Sequence, residues 1–222
     1  KRENTMADRM IYQGGTDEIV EKKSRFIAHV FPVASEEEAQ EHIDAVRKQY
    51  WDARHNCHAF VIGRQGQITR CSDDGEPSGT AGRPILEVIT GAGLYNVLVI
   101  VTRYFGGTLL GTGGLVRAYS QATQAGIAAS RIMEVHTGKK VTVQTDYNGV
   151  GKLLYLAVER DIPVLDTEYG EAVVLQMLVE LDACDTLVKQ ITEVTCGQAQ
   201  ISLSDPLDFA MLEGKPLLLE EE

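Results

Sequence analysis

A cluster of glycines beside arginines and aromatic residues is the part of the sequence best suited to binding chemistry. Residues 103–117 read RYFGGTLLGTGGLVR. Glycine lets backbone amides approach a ligand closely, and the N-terminus of a following helix adds partial positive charge suited to phosphate. We therefore expect an anion-binding or nucleic-acid-binding set in this stretch, made of Arg103, Tyr104, Gly106, Gly107, Gly111, Gly113, Gly114 and Arg117.

The glycine spacing differs from that of the standard nucleotide loops. No Gly-Lys-Ser/Thr follows, as a Walker A loop requires, and the dinucleotide pattern Gly-x-Gly-x-x-Gly is not in its usual place. Left-handed turns and tight helix packing would account for the same glycines without any ligand. The residues alone leave anion binding and packing as open alternatives.

A second group of polar side chains begins with Arg54-His55-Asn56-Cys57-His58. Histidines, thiols and carboxylates are zinc ligands, but neighbouring strand residues point to opposite faces and cannot converge on one ion, so we predict no metal and no cofactor. Cys57 with His58, or Ser72 or Ser78 with His55 and an aspartate, supplies ingredients of a hydrolase, yet no nucleophile-elbow sequence frames any of them. Arg54, His55 and Arg83 join the expected anion-binding set, and Asn56, Asp73, Asp74 and Glu76 form an expected polar network at the edge of a groove.

Hydrophobic spacing predicts the elements that position these groups. Ser35 and Glu38 form a capping-box pattern ahead of a helix, against which Tyr50 and Trp51 are expected to pack. Residues 18–33 are expected to be extended, 58–71 to form a hairpin and 72–82 a loop. Residues 97–102 are continuously apolar and predict a central strand, and helices are expected from Arg83 and over 115–129.

The C-terminal part of the chain has a pattern of its own. A boundary near 137–140 gives an expected N-terminal domain over 1–137 and a C-terminal domain over 138–222. The second domain reads as strand, helix, strand, strand, helix, strand, which is the ferredoxin-like βαββαβ order, with Asp182 expected to cap the second helix. The end from Leu217 to Glu222 is predicted to be frayed.

Charge separates the two domains. Residues 1–137 carry 15 Lys+Arg and 16 Asp+Glu, a net of -1, whereas 138–222 carry 6 and 16, a net of -10. The stretch 54–131 holds seven arginines and no lysine against four acids, a net of +3, so an anionic partner should dock there. No apolar run is long enough to cross a membrane, and four widely spaced cysteines are expected to be reduced thiols in a cytoplasmic protein.

Three stretches resemble the signature of the IMPACT/YigZ family. They are RYFGGxxxxGxGGLVRAY over 103–119, ARHNC over 53–57 and SDDGEPSGTAG over 72–82. The similarity spans most of 17–131, and the remainder is similar to the smaller C-terminal domain of the bacterial members.

The resemblance implies an α+β protein. Its N-terminal α/β domain would be of the type shared by a small-subunit ribosomal protein, elongation factor G and GHMP kinases, followed by a ferredoxin-like domain. Eukaryotic IMPACT proteins restrain a stress-activated translation kinase through a partner-binding RWD domain that precedes the shared region. We do not expect that activity to carry over, because few residues precede the shared region here.

The leading hypothesis is a translation-associated regulator without catalysis, which binds RNA, the ribosome or a translation factor through the groove of the N-terminal domain. One alternative is a phosphate-handling or metal-dependent hydrolase that uses the same groove. Another is a protein-binding regulator that acts through the acidic C-terminal domain. The sequence indicates no membrane partner and does not indicate an oligomeric state.

Overall fold

The computed structural model describes residues 8–212 and 214–219. The chain divides into two compact units, with the division between Glu134 and Val135. The described residues form a mixed arrangement of helices and strands, which confirms the α+β expectation. No helix among them has both the length and the apolar character needed to span a membrane.

The N-terminal unit is built on a five-stranded sheet. Its elements are β1 (Arg9–Gln13), β2 (Thr16–Glu21), β3 (Ser24–Pro32), α1 (Glu36–Gln49), β4 (His55–Ile62), β5 (Ile68–Ser72), α2 (Gly82–Gly91), β6 (Leu94–Tyr95), β7 (Val97–Tyr104) and α3 (Thr112–Ala128). The strand order is β2-β3-β7-β4-β5, with antiparallel pairing throughout. The short strand β1 lies outside this sheet and pairs with β6 and with the start of β8 (Arg131–Thr145).

The central strand β7 is covered on both faces, as its composition predicts. Residues 97–101 of this strand are fully buried. On one face the strand packs under α1 through Leu98 and Ile100, and on the other it faces α3. Burial of this apolar surface is the main source of stability for such a unit.

Helix α1 begins where the sequence predicts. The Ser35 hydroxyl accepts a hydrogen bond from the Glu38 amide, which satisfies one of the free donors of the first turn. Ala39, Ile43 and Val46 are buried against the sheet. Tyr50 packs at the edge of this cluster as expected, whereas Trp51 is 82% exposed, so the prediction that it packs against the helix is wrong.

Helix α3 lies close against the sheet because its sheet-facing residues are small. A Cβ added to Gly126 would stand 2.9 Å from the Ala28 side chain and 3.2 Å from that of Val30. A larger residue at this position would push the helix away from the sheet.

The C-terminal unit carries its own sheet. It contains most of β8, then α4 (Tyr147–Glu159), β9 (Val164–Tyr169), β10 (Val173–Glu180), α5 (Leu181–Val194), β11 (Gln200–Leu203), β12 (Leu207–Leu212) and β13 (Lys215–Leu219). Strands β9-β10-β8-β11 pair in that order, all antiparallel. Both helices contribute to one buried cluster with the sheet, and β12 pairs with both β13 and β8.

Three features of this unit differ from expectation. Strand β8 begins at Arg131 and runs through the expected boundary at 137–140. Helix α5 begins at Leu181, so Asp182 lies inside the first turn and the N-cap position is Glu180. The frayed end is wrong for residues 217–219, which belong to β13, while 220–222 lie outside the described residues.

Candidate nucleic-acid interface

One end of the N-terminal sheet gathers the polar groups that the sequence predicts for a site. The strand register places Arg25 opposite Tyr104 and His55 opposite Arg103. The β2–β3 turn, the residues after β7 and the residues before β4 therefore lie at the same end of the sheet. The acidic loop of residues 73–81 reaches this end as well, because Asp74 contacts His55.

Arg103 is buried at this end and is engaged by a carboxylate. Its Nη1 donates to Glu76 Oε1 at 2.5 Å, and the two side chains are 7% and 4% exposed. Its Nε is buried and has no hydrogen-bond partner in the part of the chain that the structure describes. The guanidinium also lies over the ring of Phe26 and near that of Phe105, at 5.4 and 5.7 Å from the ring centres. An anion would have to compete with Glu76 for this arginine.

Glu76 connects Arg103 to a buried thiol. The Tyr119 hydroxyl donates to Glu76 Oε1 at 2.9 Å and lies 3.3 Å from Cys57 Sγ, which in turn donates to the Asp73 carbonyl. Burial raises the pKa of Cys57 to about 12 and raises that of Tyr119 as well. Since the thiolate is the nucleophilic form, Cys57 is a poor nucleophile near neutral pH.

The acidic loop is held closed by Asp73. Its carboxylate accepts hydrogen bonds from the amides of Gly79, Ala81 and Gly82 at 2.8–3.0 Å. Burial of the carboxyl group opposes ionisation, but these three amides favour the charged form, and the net pKa of Asp73 is lowered. Asp73 therefore fixes the approach of the chain to α2.

Asp74 ties the same loop to the start of β4. Its Oδ2 accepts a hydrogen bond from the backbone amide of Asn56 at 2.6 Å, and its Oδ1 accepts one from the Arg47 guanidinium. The backbone carbonyl of Asp74 contacts His55 Nδ1 at 2.9 Å. Asn56 in turn accepts from the Thr102 hydroxyl on β7. The residues expected to form a polar network are thus hydrogen-bonded within the N-terminal unit, where they position loops and strands.

The glycine stretch between β7 and α3 lies mostly at the surface. A Cβ added to Gly106 would stand 2.0 Å from the backbone of Lys23, so only glycine allows the β2–β3 turn to pack against this segment. Gly107 and Gly111 have positive φ angles of 83° and 72°. Gly111 is the N-cap residue of α3, and Gly113 and Gly114 are in its first turn. Gly106 and Gly107 thus serve packing and turn geometry.

Four cations at this end of the sheet are exposed and have no ionic partner within the described residues: Lys22, Lys23, Arg54 and Arg117. Lys22 and Arg117 line one small cavity together with Glu21 and Gln121. Arg83 is also exposed, but it pairs with Glu87 one turn along α2. The N-terminal unit therefore has four exposed cations, without an ion pair among the described residues, at the end of the sheet that carries the glycine stretch.

Aromatic side chains accompany these cations. Phe105 is 55% exposed and lies next to the Arg103 guanidinium. Trp51, three residues before Arg54 in the sequence, is also exposed to solvent. Tyr104 is less available, because its hydroxyl donates to Asp52 at 2.7 Å and Arg25 lies over its ring. We call the surface formed by Lys22, Lys23, Trp51, Arg54, Phe105 and Arg117 the cationic sheet end.

Lys22, Lys23 and Trp51 lie at the cationic sheet end but are not among the residues that the sequence predicts for a site. The sequence predicts an extended segment over 18–33, which gives the two lysines no role, and it predicts that Trp51 packs against the first helix. The two lysines separate two runs of strand-forming residues, and this spacing is typical of a hairpin turn. Within the described residues, no group of three or more His, Cys, Asp or Glu side chains is arranged to hold a metal.

Two family descriptions match the chain. Residues 22–127 match the Impact N-terminal domain, and residues 143–198 match a domain of unknown function, DUF1949. The first match contains the whole cationic sheet end.

Two bacterial proteins are similar to this chain over most of its length. The IMPACT family member YvyE of Bacillus subtilis (strain 168) is 40% identical over 191 residues, which cover 86% of this chain and 88% of that protein. The IMPACT family member YigZ of Escherichia coli (strain K12) is 32% identical over 182 residues, which cover 81% and 89%. A crystal structure described as that of a hypothetical protein is similar with a TM-score of 0.56 at 30% identity, covering 89% of this chain and 97% of that one.

Proposed function

The chain belongs to the IMPACT family, and from that membership we propose that it is a translation-associated regulator whose N-terminal unit binds single-stranded RNA, free or within the ribosome. The family resemblance supports the link to translation. It also supports a fold of the ribosomal-protein and elongation-factor type for the first unit. The strand order β9-β10-β8-β11 supports a ferredoxin-like second unit. The proposed place of action is the cytoplasm, where translation occurs.

The observation that carries the proposal is the composition of the cationic sheet end. Cations without carboxylate partners can neutralise phosphates and release the counterions of the nucleic acid. Exposed aromatic rings beside them offer faces on which bases stack. Phe105 and Trp51 supply exposed rings at the same end of the sheet as Lys23, Arg54 and Arg117.

The aromatic residues favour single strands over duplexes. Stacking on a side chain requires an unpaired base, which a duplex does not offer without being opened. A basic domain that binds duplex backbones would carry a large positive charge, whereas residues 1–137 have a net charge of -1. The proposed contact is therefore local and short.

The buried residues of the polar network have a supporting role in this proposal. Arg103 lies over the ring of Phe105 and pairs with Glu76 of the acidic loop, so this pair holds both in position. Gly106 allows the β2–β3 turn at Lys22 and Lys23 to pack against the glycine stretch. The phosphate contacts are assigned to Lys22, Lys23, Arg54 and Arg117. This assignment differs from the expectation that Arg103 itself meets phosphate.

The test uses the single tryptophan of the chain as its reporter. Titration of the full chain with a single-stranded oligouridine should quench Trp51 fluorescence, since that side chain is exposed at the proposed contact. The affinity should fall steeply with added salt, by a slope of about 0.7 for each phosphate contact. Arg54→Ala and Arg117→Ala should each weaken binding and lower that slope.

The matched control is Arg160→Ala, which removes an exposed arginine of the C-terminal unit. It should leave the titration unchanged. Binding that is insensitive to salt, or that responds to Arg160→Ala as much as to Arg54→Ala, would overturn the proposal. Binding seen by anisotropy without any quenching of Trp51 would overturn the stacking contact.

A further inference from the structure

The C-terminal unit has a trough that the RNA proposal does not use. One cavity of about 550 Å³ lies where α4 begins and α5 ends, and a second of about 570 Å³ follows the outer side of α4. The two cavities share Lys152 and Val194 in their walls. Each is within the range of roughly 300–1,000 Å³ that is usual for ligand sites.

The two ends of this trough have different chemistry. The end near the sheet is lined by carboxamides, Gln144, Asn148, Gln198 and Gln200. Carboxamides both donate and accept hydrogen bonds, as an extended peptide backbone requires. The other end is formed by Tyr155, Leu156 and Val194, with Tyr155 71% exposed. The exposed Tyr155 ring, with the buried Leu156 and the half-buried Val194 beside it, offers an apolar surface that fits an aliphatic side chain.

The charges that face the trough are mainly negative. Asp146 and Glu171 border the polar end, and Glu159 borders the apolar end. Among the described residues that line the trough, Lys152 alone carries an ammonium group; it donates to the Val194 carbonyl at 3.3 Å and is thus directed at the C-terminal end of α5. The surrounding stretch, 138–222, has 6 basic and 16 acidic residues.

We infer that the trough binds an extended, basic segment of a partner protein, which places an aliphatic side chain against Tyr155 and a lysine or arginine near Asp146 and Glu171. Charge complementarity selects this occupant over RNA, because carboxylates repel phosphate. The inference concerns a second surface, and it stands or falls independently of the RNA contact.

Fluorescence anisotropy on the full chain tests this inference with a short labelled peptide in which lysine and leucine alternate. Two matched peptides replace every leucine by serine or every lysine by glutamate. The lysine–leucine peptide should bind, and both matched peptides should bind at least about tenfold more weakly, since the trough needs both apolar and cationic groups.

Two surface variants locate the contact. Tyr155→Ala should weaken binding about tenfold, because exposed aromatic anchors carry much of the energy of such contacts. Glu171→Lys should weaken it about fivefold and lower its salt dependence, as expected of a rim charge. Tyr169→Ala and Asp185→Lys change an exposed tyrosine and an exposed acid outside the trough, and both should leave binding within about twofold.

Three results would overturn the inference. The first is no binding of the lysine–leucine peptide, or equal binding of the glutamate peptide. The second is equal loss in the Tyr169 and Tyr155 variants. The third is a dimer that dissociates on Tyr155→Ala without peptide binding, since the trough would then hold a second copy of the chain. Oligouridine quenching of Trp51 should be unchanged in all four variants, which separates this outcome from failure of the RNA proposal.

Discussion

Replacing the lysine turn between β2 and β3 should make the protein more stable and weaken its RNA binding. Lys22 and Lys23 have φ angles of 45° and 67°, so both lie in the left-handed region. The flanking residues Glu21 and Ser24 are paired, which leaves a two-residue turn that asparagine followed by glycine fits best. The perturbation is therefore the double variant Lys22→Asn, Lys23→Gly.

The magnitudes follow from the turn geometry and from the charges. A left-handed conformation costs a residue with a Cβ about 1–2 kcal/mol, most of which glycine avoids. Glycine also has more freedom in the unfolded chain, which returns about 0.5–1 kcal/mol of that gain. The free energy of unfolding should therefore rise by about 1 kcal/mol. Loss of two phosphate contacts should lower the salt slope of RNA binding by up to about 1.4.

Urea unfolding and Trp51 titration over a range of salt measure the two effects. Lys22→Arg, Lys23→Arg is the matched control, because it keeps both charges and both left-handed residues, and it should leave stability and slope nearly unchanged. A gain in stability with an unchanged salt slope would refute the placement of the turn in the RNA contact. An unchanged stability would refute the assignment of strain to the turn.

Three further predictions concern the buried groups. Glu76→Ala should lower the free energy of unfolding by about 3–5 kcal/mol, because it leaves a buried guanidinium unpaired, whereas Glu87→Ala, at an exposed pair, should cost less than about 1 kcal/mol. Cys57 should react with a disulfide reagent only after unfolding, since burial raises its pKa to about 12, while exposed Cys71 reacts in the native protein. Burial lowers the pKa of His29, so the unfolded chain takes up a proton near pH 6.5 that the folded chain resists. The free energy of unfolding should therefore fall as the pH drops below that value, and it should fall less in His29→Gln.

Each of these has an outcome that contradicts it. Equal losses for Glu76→Ala and Glu87→Ala in urea unfolding would mean that the buried pair contributes no more than a surface pair. Rapid labelling of Cys57 in the native protein, located by mass spectrometry, would contradict its burial. An identical decline in stability below pH 6.5 for His29→Gln would assign the pH dependence to other groups.

The sequence predicts those parts of the fold whose signal is local. The buried strand β7 follows from its apolar run at 97–101, and α1 follows from Ser35 and the spacing of Ala39, Ile43 and Val46. The βαββαβ order of the second unit is readable for the same reason. These elements needed no knowledge of distant contacts.

The parts that could not be predicted depend on contacts far apart in the chain. Strand β8 is extended at its start because residues 131–134 pair with β1, which has little strand pattern of its own. Arg103 is 27 residues from Glu76 in sequence, so nothing local indicates that its guanidinium is occupied. Trp51 is a large aromatic residue of a type that is usually well buried. It is exposed here because of the path that the chain takes after α1.

The clamp that Asp73 places on residues 79–82 also bears on how the protein withstands degradation. A surface segment rich in Gly, Ser, Asp and Pro is a usual first cleavage point for proteases, which need several residues to be drawn out into an extended form. Here such unwinding would break the three hydrogen bonds that backbone amides donate to the Asp73 carboxylate. The segment should consequently resist digestion at neutral pH. In acid, protonation of the Asp73 carboxylate should free the segment and make it susceptible to cleavage.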